Sequence, residues 1–122
     1  MKVGDYVRYR CAYDNTIKIK KINAIVPPDN LIKENYYKFN DYEGTIEKCI
    51  IKSSPNIIDL IEVGDYVNGK KVIDTFTDYI FDYSEEFKVI RFSETDILHN
   101  VKHIKSIVTK EQFESMEYKV GD

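Results

Sequence analysis

The pentapeptide VGDYV stands at Val3–Val7 and returns unchanged at Val63–Val67 in a chain of 122 residues. A shorter copy, VGD, stands at Val120–Asp122. Glycine followed by aspartate permits a tight bend, and Tyr-Val is typical of a strand. The motif therefore predicts, at two places in the chain, a turn that leads into a strand. Many small barrel-like β modules start in this way.

Both full copies are followed by the pattern of a β-hairpin. After the first, residues 6–11 and 16–20 alternate apolar and polar side chains around the turn residues Asp14-Asn15. After the second, Asn68-Gly69 is a strong signal of a two-residue hairpin turn, and residues 70–76 predict the return strand. We expect two sheet modules that share one core. The sequences after the two copies are too dissimilar to predict a true tandem repeat.

The segment between the hairpins predicts a loop, a strand and a short helix. Residues 29–42 follow two prolines and carry no clean period, which indicates a loop. Gly44–Lys52 has the composition of a single strand. Ser54 as the cap and Pro55 at the first helical position predict a helix that Gly64 ends.

The second half of the chain predicts more short strands and a last helix. Thr109 and Gln112 form a capping-box pattern for a helix at Lys110–Glu117, and its Phe113 and Met116 share a face that should dock. The further predicted strands are residues 78–83, 87–92 and 104–108, and residues 95–98 predict either a short strand or a turn.

The predicted fold is α+β, mainly antiparallel β-sheet with about seven or eight short strands and two short helices, in one compact domain over residues 1–122. Hydrophobic residues make up 43% and charged residues 32% of the chain, as in an ordinary globular domain. No apolar run approaches a membrane span of roughly 20 residues. The N-terminus lacks the apolar stretch of a secretory signal, so we expect a cytoplasmic location.

Cysteine usage and charge exclude several function classes. Cys11 and Cys49 are the only cysteines, lie outside any CxxC motif, and predict two buried thiols rather than a disulfide in a reducing cytosol. The net charge of −3 argues against binding to polymeric nucleic acid. A local basic pocket for a small anion stays compatible with it.

The first hairpin is the most basic stretch of the chain. Strand alternation places Arg8, Arg10, Lys18 and Lys20 on one face, with Tyr9, Cys11, Ile17 and Ile19 on the other. Such a face predicts a phosphate-binding patch, in which the arginines make bidentate contacts. The alternative is a solvated face whose cations pair with carboxylates elsewhere in the protein.

A second candidate site lies in residues 87–100. Alternation places Phe87, Val89 and Arg91 on one face of a strand and Phe92 on the other. An aromatic ring beside a guanidinium and the amide of Asn100 are the groups that a nucleotide requires: a stacking plane, a charge for phosphate, and a donor–acceptor pair. The alternative is that Phe92 belongs to the core and Asn100 to a turn.

No catalytic motif is present in the sequence. His99 and His103, four residues apart, have metal-ligand spacing with Asp96 only if the segment is helical, and its pattern is not that of a helix, so we expect no metal. The predicted helix starts at Ser54 and Thr109 have the geometry to hold an anion, but capping is the simpler role. We therefore expect neither an enzyme nor a cofactor.

Three phrases of the chain resemble small proteins of phages and prophages of AT-rich Firmicutes. They are MKVGDYVR (Met1–Arg8), IIKSSPNIIDLIEVGDYVNGKKV (Ile50–Val72) and IKSIVTKEQFESMEYKVG (Ile104–Gly121). They cover roughly 40% of the chain and recur in phage proteins that otherwise differ. Within that group, the length and the pattern between the phrases look most like the first Thoeris anti-defence family.

The resemblance implies a homo-oligomeric sponge, a dimer or a trimer of dimers, acting in the cytoplasm of the bacterial host. Such proteins bind glycocyclic ADP-ribose isomers, and some bind cyclic trinucleotides, without cleaving them. The implied contacts are an aromatic ring for adenine, an amide, and arginine or lysine for pyrophosphate. The candidate ligand-binding residues here are Arg91, Phe92, Asn100, Arg8, Arg10 and Lys110.

Two other functions compete with sequestration. One is a phage inhibitor that binds a host protein, as anti-CRISPR proteins do. The acidic residues of this chain are spread along it and form no run, which argues against an inhibitor that mimics nucleic acid. The other is an RNA-binding barrel module, which the VGDYV starts and the basic hairpin favour and the net charge disfavours.

Overall fold

Antiparallel sheets make up most of the computed structural model, which describes residues 1–80 and 85–116. This confirms the predicted α+β fold class dominated by antiparallel sheet. The chain divides into two compact units, Met1–Leu60 and Ile61–Asp122, and each is described by itself. The single domain over residues 1–122 stays a prediction.

Each unit contributes six strands among the described residues, more in total than the seven or eight predicted. In the first unit they are β1 (Tyr6–Arg10), β2 (Ile17–Lys21), β3 (Ala24–Val26), β4 (Tyr36–Lys38), β5 (Gly44–Ile46) and β6 (Ile50–Ser54), with 3-10 turns at Glu47–Cys49 and Ile57–Leu60. In the second they are β7 (Tyr66–Val67), β8 (Lys70–Lys71), β9 (Asp74–Ile80), β10 (Glu85–Arg91), β11 (Ile97–Leu98) and β12 (Ile107–Val108), with a 3-10 turn at Val101–His103 and the helix α1 (Lys110–Met116).

The centre of the first unit is β1, which lies between β2 and β6 in one sheet. Its three successive residues Val7, Arg8 and Tyr9 are all buried, so both faces of this strand are covered. One hydrophobic core cluster of the unit contains Val7, Tyr9, Ile22, Tyr37 and Phe39. Cys11 is only partly buried beside this core, and Cys49 is also half-buried; neither thiol forms a disulfide.

The second sheet of this unit is the meander β3-β4-β5. Its middle strand, Tyr36–Lys38, lies inside residues 29–42, so the predicted loop is wrong at these three residues. Tyr36 and Tyr37 point to opposite faces, and Tyr37 enters the core. A three-residue strand is too short to show a period in the sequence, which explains why the pattern missed it.

Two other predictions in this unit need correction. The predicted single strand Gly44–Lys52 is interrupted by the 3-10 turn at Glu47–Cys49, after which β6 returns to pair with β1. The predicted helix from Ser54 is instead a 3-10 turn that begins at Ile57. Ser54 ends β6, and its hydroxyl accepts a hydrogen bond from the Asn56 N–H at 3.1 Å.

The second unit contains the sheets β12-β7-β8 and β11-β10-β9. The helix α1 starts with the predicted capping box: the Thr109 N–H donates to Gln112 Oε1 at 3.1 Å, and the Gln112 N–H donates to Thr109 Oγ1 at 3.2 Å. Phe113 stacks on Tyr66 with 4.1 Å between ring centroids, as a docking residue should. Met116 is 66% exposed, so the prediction that it docks is wrong.

The two VGDYV copies have the same local geometry. Gly4 and Gly64 both have a φ of +97°, a left-handed conformation in which a Cβ is strained. The Asp5 N–H donates to the Lys2 carbonyl at 3.1 Å, and the Asp65 N–H makes the equivalent bond to Glu62, also at 3.1 Å. Asp5 and Asp65 are buried. In each copy, a carboxylate oxygen of the aspartate accepts from the backbone N–H three residues before it, which is Lys2 in the first copy and Glu62 in the second. The motif is therefore a buried aspartate turn that starts a strand.

The likeness of the two units continues beyond the motif. In each, the first strand pairs with its hairpin partner, a three-stranded meander follows, and a 3-10 turn precedes a strand that returns to the first. The strands also keep register: Tyr6 pairs with Lys21 as Tyr66 pairs with Lys71. The structure therefore repeats one topology twice, although the sequences after VGDYV are too dissimilar to predict it.

In each unit, the hairpin strand (β2 or β8) is followed after two residues by the first strand of the meander (β3 or β9). A fold by itself identifies no activity. The units differ in two respects. The first has a longer opening hairpin, and the second has a longer meander, with seven-residue strands at β9 and β10.

Candidate functional site

The six predicted ligand-binding residues are divided between the two units. Arg8 and Arg10 lie in β1 of the first unit. Arg91 ends β10 in the second, and Phe92 follows it directly. The second unit also contains Asn100 and Lys110, at the 3-10 turn and the start of α1 respectively.

The predicted basic face of the first hairpin is wrong, because the strands pair in a different register. Tyr9 lies opposite Lys18, and Arg8 lies opposite Ile19. Residues directly opposite in an antiparallel pair share a face, so the arginines and the lysines point to opposite sides. Alternation along each strand was correct, but a shift of one residue between the strands separates the four cations.

Arg8 is only 2% exposed, and its Nη1 donates to the Leu60 carbonyl at 3.1 Å. Its guanidinium therefore contributes to the packing of the first unit. Arg10 is exposed, and its Nη1 lies 3.4 Å from both the carbonyl and the Oδ1 of Asn15 in the hairpin loop. The lysines have acidic neighbours, with Lys18 Nζ 3.2 Å from Asp14 and Lys20 Nζ 4.0 Å from Glu43. The alternative prediction for this hairpin, in which its cations pair with carboxylates, therefore applies to Lys18 and Lys20.

Asn100 and Lys110 both have local structural contacts. Asn100 precedes the 3-10 turn, and its Oδ1 accepts from the Lys102 N–H at 3.0 Å. The Lys110 N–H donates to Asp65 Oδ1 at 3.1 Å. A Cβ built on Gly64 would lie 3.1 Å from Lys110 Cδ, so the lysine stem covers this glycine. A ligand-binding role for Asn100 and Lys110 stays a prediction.

Arg91 has an incompletely satisfied side chain. Its guanidinium carbon lies 5.0 Å from the ring centroid of Phe76, within cation–π range. Its Nε is buried and has no hydrogen-bond partner among the described residues. Buried donors in native proteins are nearly always paired, and leaving one unpaired costs about 1–3 kcal/mol. The Arg91 Nε is therefore a donor that an acceptor atom of a ligand could satisfy.

The strand register places Arg91 at one end of an aromatic face. Arg91, Val89 and Phe87 lie opposite Asp74, Phe76 and Asp78, and all six residues share one side of the β9–β10 pair. The Phe87 ring lies 5.2 Å from that of His99, which follows β11. We call Phe76, Phe87, Arg91 and His99 the aromatic face. It provides ring surfaces and one guanidinium, the residue types that the sequence predicted, and the carboxylates of Asp74 and Asp78 lie on the same side of the strand pair.

Phe92 does not belong to the aromatic face, because neighbouring residues of a strand point to opposite sides. The Lys70 ammonium lies 5.6 Å from its ring centroid and 2.8 Å from Asp96 Oδ2. The first unit has a looser version of this ion pair, between Lys20 and Glu43. Its recurrence in both units indicates that the Lys70–Asp96 pair belongs to the repeated scaffold, and Phe92 with it.

Sequence reasoning missed Phe76, the ring that contacts Arg91. The alternation within residues 87–92 correctly placed Arg91 and Phe92 on opposite faces, but it did not show which ring on the neighbouring strand lies beside Arg91. That information depends on the register between β9 and β10, which the sequence pattern alone does not give. Residues 81–84, between the two strands, lie outside the described ranges.

The described residues contain no group of three histidine, cysteine, aspartate or glutamate side chains placed to hold a metal ion. In that part of the chain, Asp96 contacts Lys70, and His99 contacts Phe87. Among the described residues, no helix has the length and apolar composition to cross a membrane. The chain matches no family model, no curated protein and no solved structure.

Proposed function

We propose that this protein binds a small phosphorylated nucleotide of the glycocyclic ADP-ribose type and sequesters it without cleaving it. Such binding would block Thoeris-type antiphage defence in the host cytoplasm. The single observation that carries the proposal is Arg91, whose Nε is buried and unpaired beside the Phe76 ring. The resemblance of the VGDYV, IIKSSPNIIDLIEVGDYVNGKKV and IKSIVTKEQFESMEYKVG phrases to phage anti-defence sponges supports it.

The groups of the aromatic face match the parts of such a ligand. A guanidinium binds phosphate oxygens through two parallel N–H donors, and the Arg91 Nε is one donor of such a pair. Phe87 and His99 offer ring surfaces for the base, and base stacking is worth about 1–3 kcal/mol per base. Sequestration requires slow release and no chemical step, so binding groups alone suffice for it.

A direct test is recovery of the ligand after binding. The protein is incubated with a glycocyclic ADP-ribose isomer, separated from free ligand, and denatured by heat. We expect the released nucleotide to be chromatographically identical to the input. Recovery of linear ADP-ribose would show cleavage, and absence of any bound nucleotide would show that the proposal is wrong.

The site itself is tested with Arg91→Gln, which removes the charge and shortens the side chain but keeps a polar amide. Loss of a charge-assisted hydrogen bond is worth about 1.5–3 kcal/mol, so we expect affinity to fall about tenfold to a hundredfold. Lys102→Gln is the matched control, since it removes an exposed charge from the same unit. Equal affinity of the two variants for the nucleotide would place the site elsewhere.

The proposal includes a homo-oligomer, a dimer or a trimer of dimers, and some capacity for cyclic trinucleotides. A small ligand is held most tightly when nearly all of its surface is enclosed, and a subunit interface provides enclosure. Light scattering on the ligand-free protein measures the mass. A thermal-shift screen identifies which nucleotides bind. A ligand at a hundredfold to a thousandfold excess over its dissociation constant adds about 3–4 kcal/mol of apparent stability to the folded protein.

The alternative is a phage inhibitor that binds a host protein. It is favoured by the loop between β3 and β4, where Leu31 is 91% exposed and Ile32 is also exposed. Adjacent exposed aliphatic side chains are a common feature of docking surfaces. The alternative predicts that a tagged protein recovers one large effector from host lysate, and that Leu31→Asp abolishes the recovery while nucleotide binding is unchanged.

A further inference from the structure

The first unit contains a cleft of about 490 Å³, within the size range of small-ligand sites. It lies against the β1–β2 loop on one side and the β4–β5 loop on the other. The residues that matter for its chemistry are Tyr9, Tyr13, Tyr36, Tyr42, Asp14 and Glu43. None of these residues belongs to the aromatic face, so this cleft is separate from the site proposed above.

The floor of the cleft depends on a glycine. A Cβ built on Gly44 would lie 2.6 Å from Cε1 and 2.7 Å from Cζ of Tyr36. The Tyr36 ring therefore occupies space beside Gly44 that a Cβ at position 44 would need. At the two loops, Tyr13 and Tyr42 are almost fully exposed, so their rings are free to cover a ligand from both sides.

Tyr9 contributes an unsatisfied polar group to the same cleft. This residue is only 2% exposed, packs its ring against Phe39 at 4.7 Å, and lines the cleft. Its hydroxyl makes no hydrogen bond to a residue in the described part of the chain. Burial raises the pKa of this hydroxyl, with a further contribution from Cys11 and Glu43, so it stays protonated. The hydroxyl oxygen is not fully enclosed by the protein, so it is open to solvent or to a ligand in the cleft.

The charges of the cleft favour a cation. Its lining has two carboxylates, Asp14 and Glu43, against one ammonium, Lys18, which is held by Asp14 at 3.2 Å. The carboxylate of Glu43 lies 4.0 Å from the exposed Lys20 ammonium and also interacts with the charge of Lys18. An anionic ligand would meet both carboxylates. Tyrosine faces attract cations through the ring quadrupole, so rings and carboxylates act in the same direction.

We propose that this cleft binds a guanidinium group, as carried by an arginine side chain. A guanidinium is planar and stacks on tyrosine rings, and its N–H groups satisfy acceptors such as the Tyr9 hydroxyl oxygen and the Glu43 carboxylate. A quaternary ammonium would gain the ring contacts but has no N–H for Tyr9. A primary ammonium has N–H groups but no planar face to stack on tyrosine rings, so the cleft favours the guanidinium among organic cations.

The test compares two probes of nearly equal shape, N-acetyl-arginine amide and N-acetyl-citrulline amide. The second replaces the guanidinium by a neutral urea. Titration of the full chain is followed by NMR of the tyrosine rings. We expect the arginine probe to shift the resonances of Tyr13, Tyr36 and Tyr42 and to bind about tenfold more tightly than citrulline. Equal binding of both probes, or none by arginine at 10 mM or so, would overturn the proposal.

Two pairs of variants locate the contacts. Tyr9→Phe removes only the hydroxyl, and Tyr37→Phe makes the same change on a core tyrosine outside the cleft. Glu43→Gln removes a cleft charge, and Glu94→Gln removes an exposed one in the second unit. We expect the two cleft variants to lose the preference for arginine over citrulline while their thermal stability is retained. Unchanged preference in both would show that the cleft does not bind the guanidinium.

Free arginine and arginine within a peptide carry the same group and are distinguished by a third arm. An acetylated pentapeptide of glycine and serine with one central arginine is titrated beside the single-residue probe. Tighter binding of the peptide by threefold or more identifies a protein segment as the source. Equal or weaker binding identifies a small guanidinium compound. Nucleotide capture at the aromatic face does not enter either measurement.

Discussion

Asp65 holds together two segments of the second unit. It is fully buried, and its carboxylate accepts the Glu62 N–H at 2.9 Å and the Lys110 N–H at 3.1 Å. The first bond closes the VGDYV turn, and the second fixes the start of α1. Asp5 has the equivalent turn bond, to the Lys2 N–H at 3.0 Å, and is slightly exposed. The aspartate of the motif therefore fixes the turn in both copies, and in the second copy it also fixes the start of α1.

We expect Asp65→Asn to lower the free energy of unfolding by about 2–4 kcal/mol, because the amide nitrogen cannot accept and leaves a buried N–H unpaired. Asp5→Asn, the matched substitution in the first copy, should cost about 1 kcal/mol or less, since it weakens one partly solvated bond. Urea denaturation followed by circular dichroism measures both. Equal losses would show that the contact with α1 contributes nothing.

Asp14 gives the protein a defined response to acid. The hydroxyl of Thr16 donates to its carboxylate at 2.6 Å and the Thr16 N–H at 3.1 Å, and these bonds, with a contribution from Lys18, hold its pKa well below the ordinary 3.8. The unfolded chain binds a proton as the pH falls through about 4, whereas the folded chain does not. Stability from this group is therefore complete above that pH and is lost progressively below it.

The prediction is a smaller loss of melting temperature between pH 6 and pH 3 for Asp14→Asn than for the unchanged protein, since asparagine does not titrate. At pH 6 the variant should be the less stable of the two, because its amide loses the charge that Thr16 and Lys18 bind. Differential scanning calorimetry at both pH values gives the comparison. Parallel shifts of the two proteins with pH would contradict it.

Among the elements, the β7–β8 hairpin shows how one turn residue fixes two segments. Asn68 and Gly69 both have positive φ, 54° and 79°, as a two-residue type I′ turn requires. The Asn68 side chain also donates to the His103 carbonyl at 2.7 Å and accepts the Lys105 N–H at 2.7 Å and the Ser106 N–H at 3.2 Å. The turn thereby positions the segment that leads into β12.

Asn68→Gly should keep the turn, because glycine accepts positive φ, and should lose the three side-chain bonds. We expect a cost of about 1–2 kcal/mol, modest because the site is exposed. Hydrogen exchange should accelerate at the Lys105 and Ser106 amides while β9 and β10 stay protected. Asn68→Asp keeps the acceptor and loses only the donor, so its stability should lie between those of the unchanged protein and Asn68→Gly. Unchanged exchange at Lys105 and Ser106 would contradict the prediction.

Elements with strong local signals could be predicted, and those fixed by pairing could not. The Asn68-Gly69 turn and the Thr109–Gln112 capping box are set by their own residues, so the sequence was sufficient. β4 is three residues long, and only its pairing with β3 and β5 makes it a strand. The same distinction applies to the candidate site. Arg91 could be proposed from its residue type alone. The contact between Arg91 and Phe76, and the separation of the arginines from the lysines in the first hairpin, depend on strand register, which is a property of strand pairs.

At the scale of the whole molecule, one topology is present twice, and the two units differ in their opening hairpins and in their meanders. The first unit has extended its opening hairpin, whose loop forms one side of the tyrosine cleft. The second has cut that hairpin to a two-residue turn and lengthened its meander, which carries the aromatic face. Since the shared parts are turns, pairings and ion pairs, we infer that function resides in the parts that differ.

The repeat predicts that equivalent core substitutions act locally. Val7 and Val67 hold the same position in the two VGDYV copies, and both are fully buried. Truncation to alanine should cost about 2 kcal/mol at either site through lost burial and a residual cavity. We expect native-state hydrogen exchange to show lost protection mainly in residues 1–60 for Val7→Ala and in residues 61–116 for Val67→Ala, because local stability follows cooperative units. If either substitution lowers protection equally throughout, the two copies unfold as one unit.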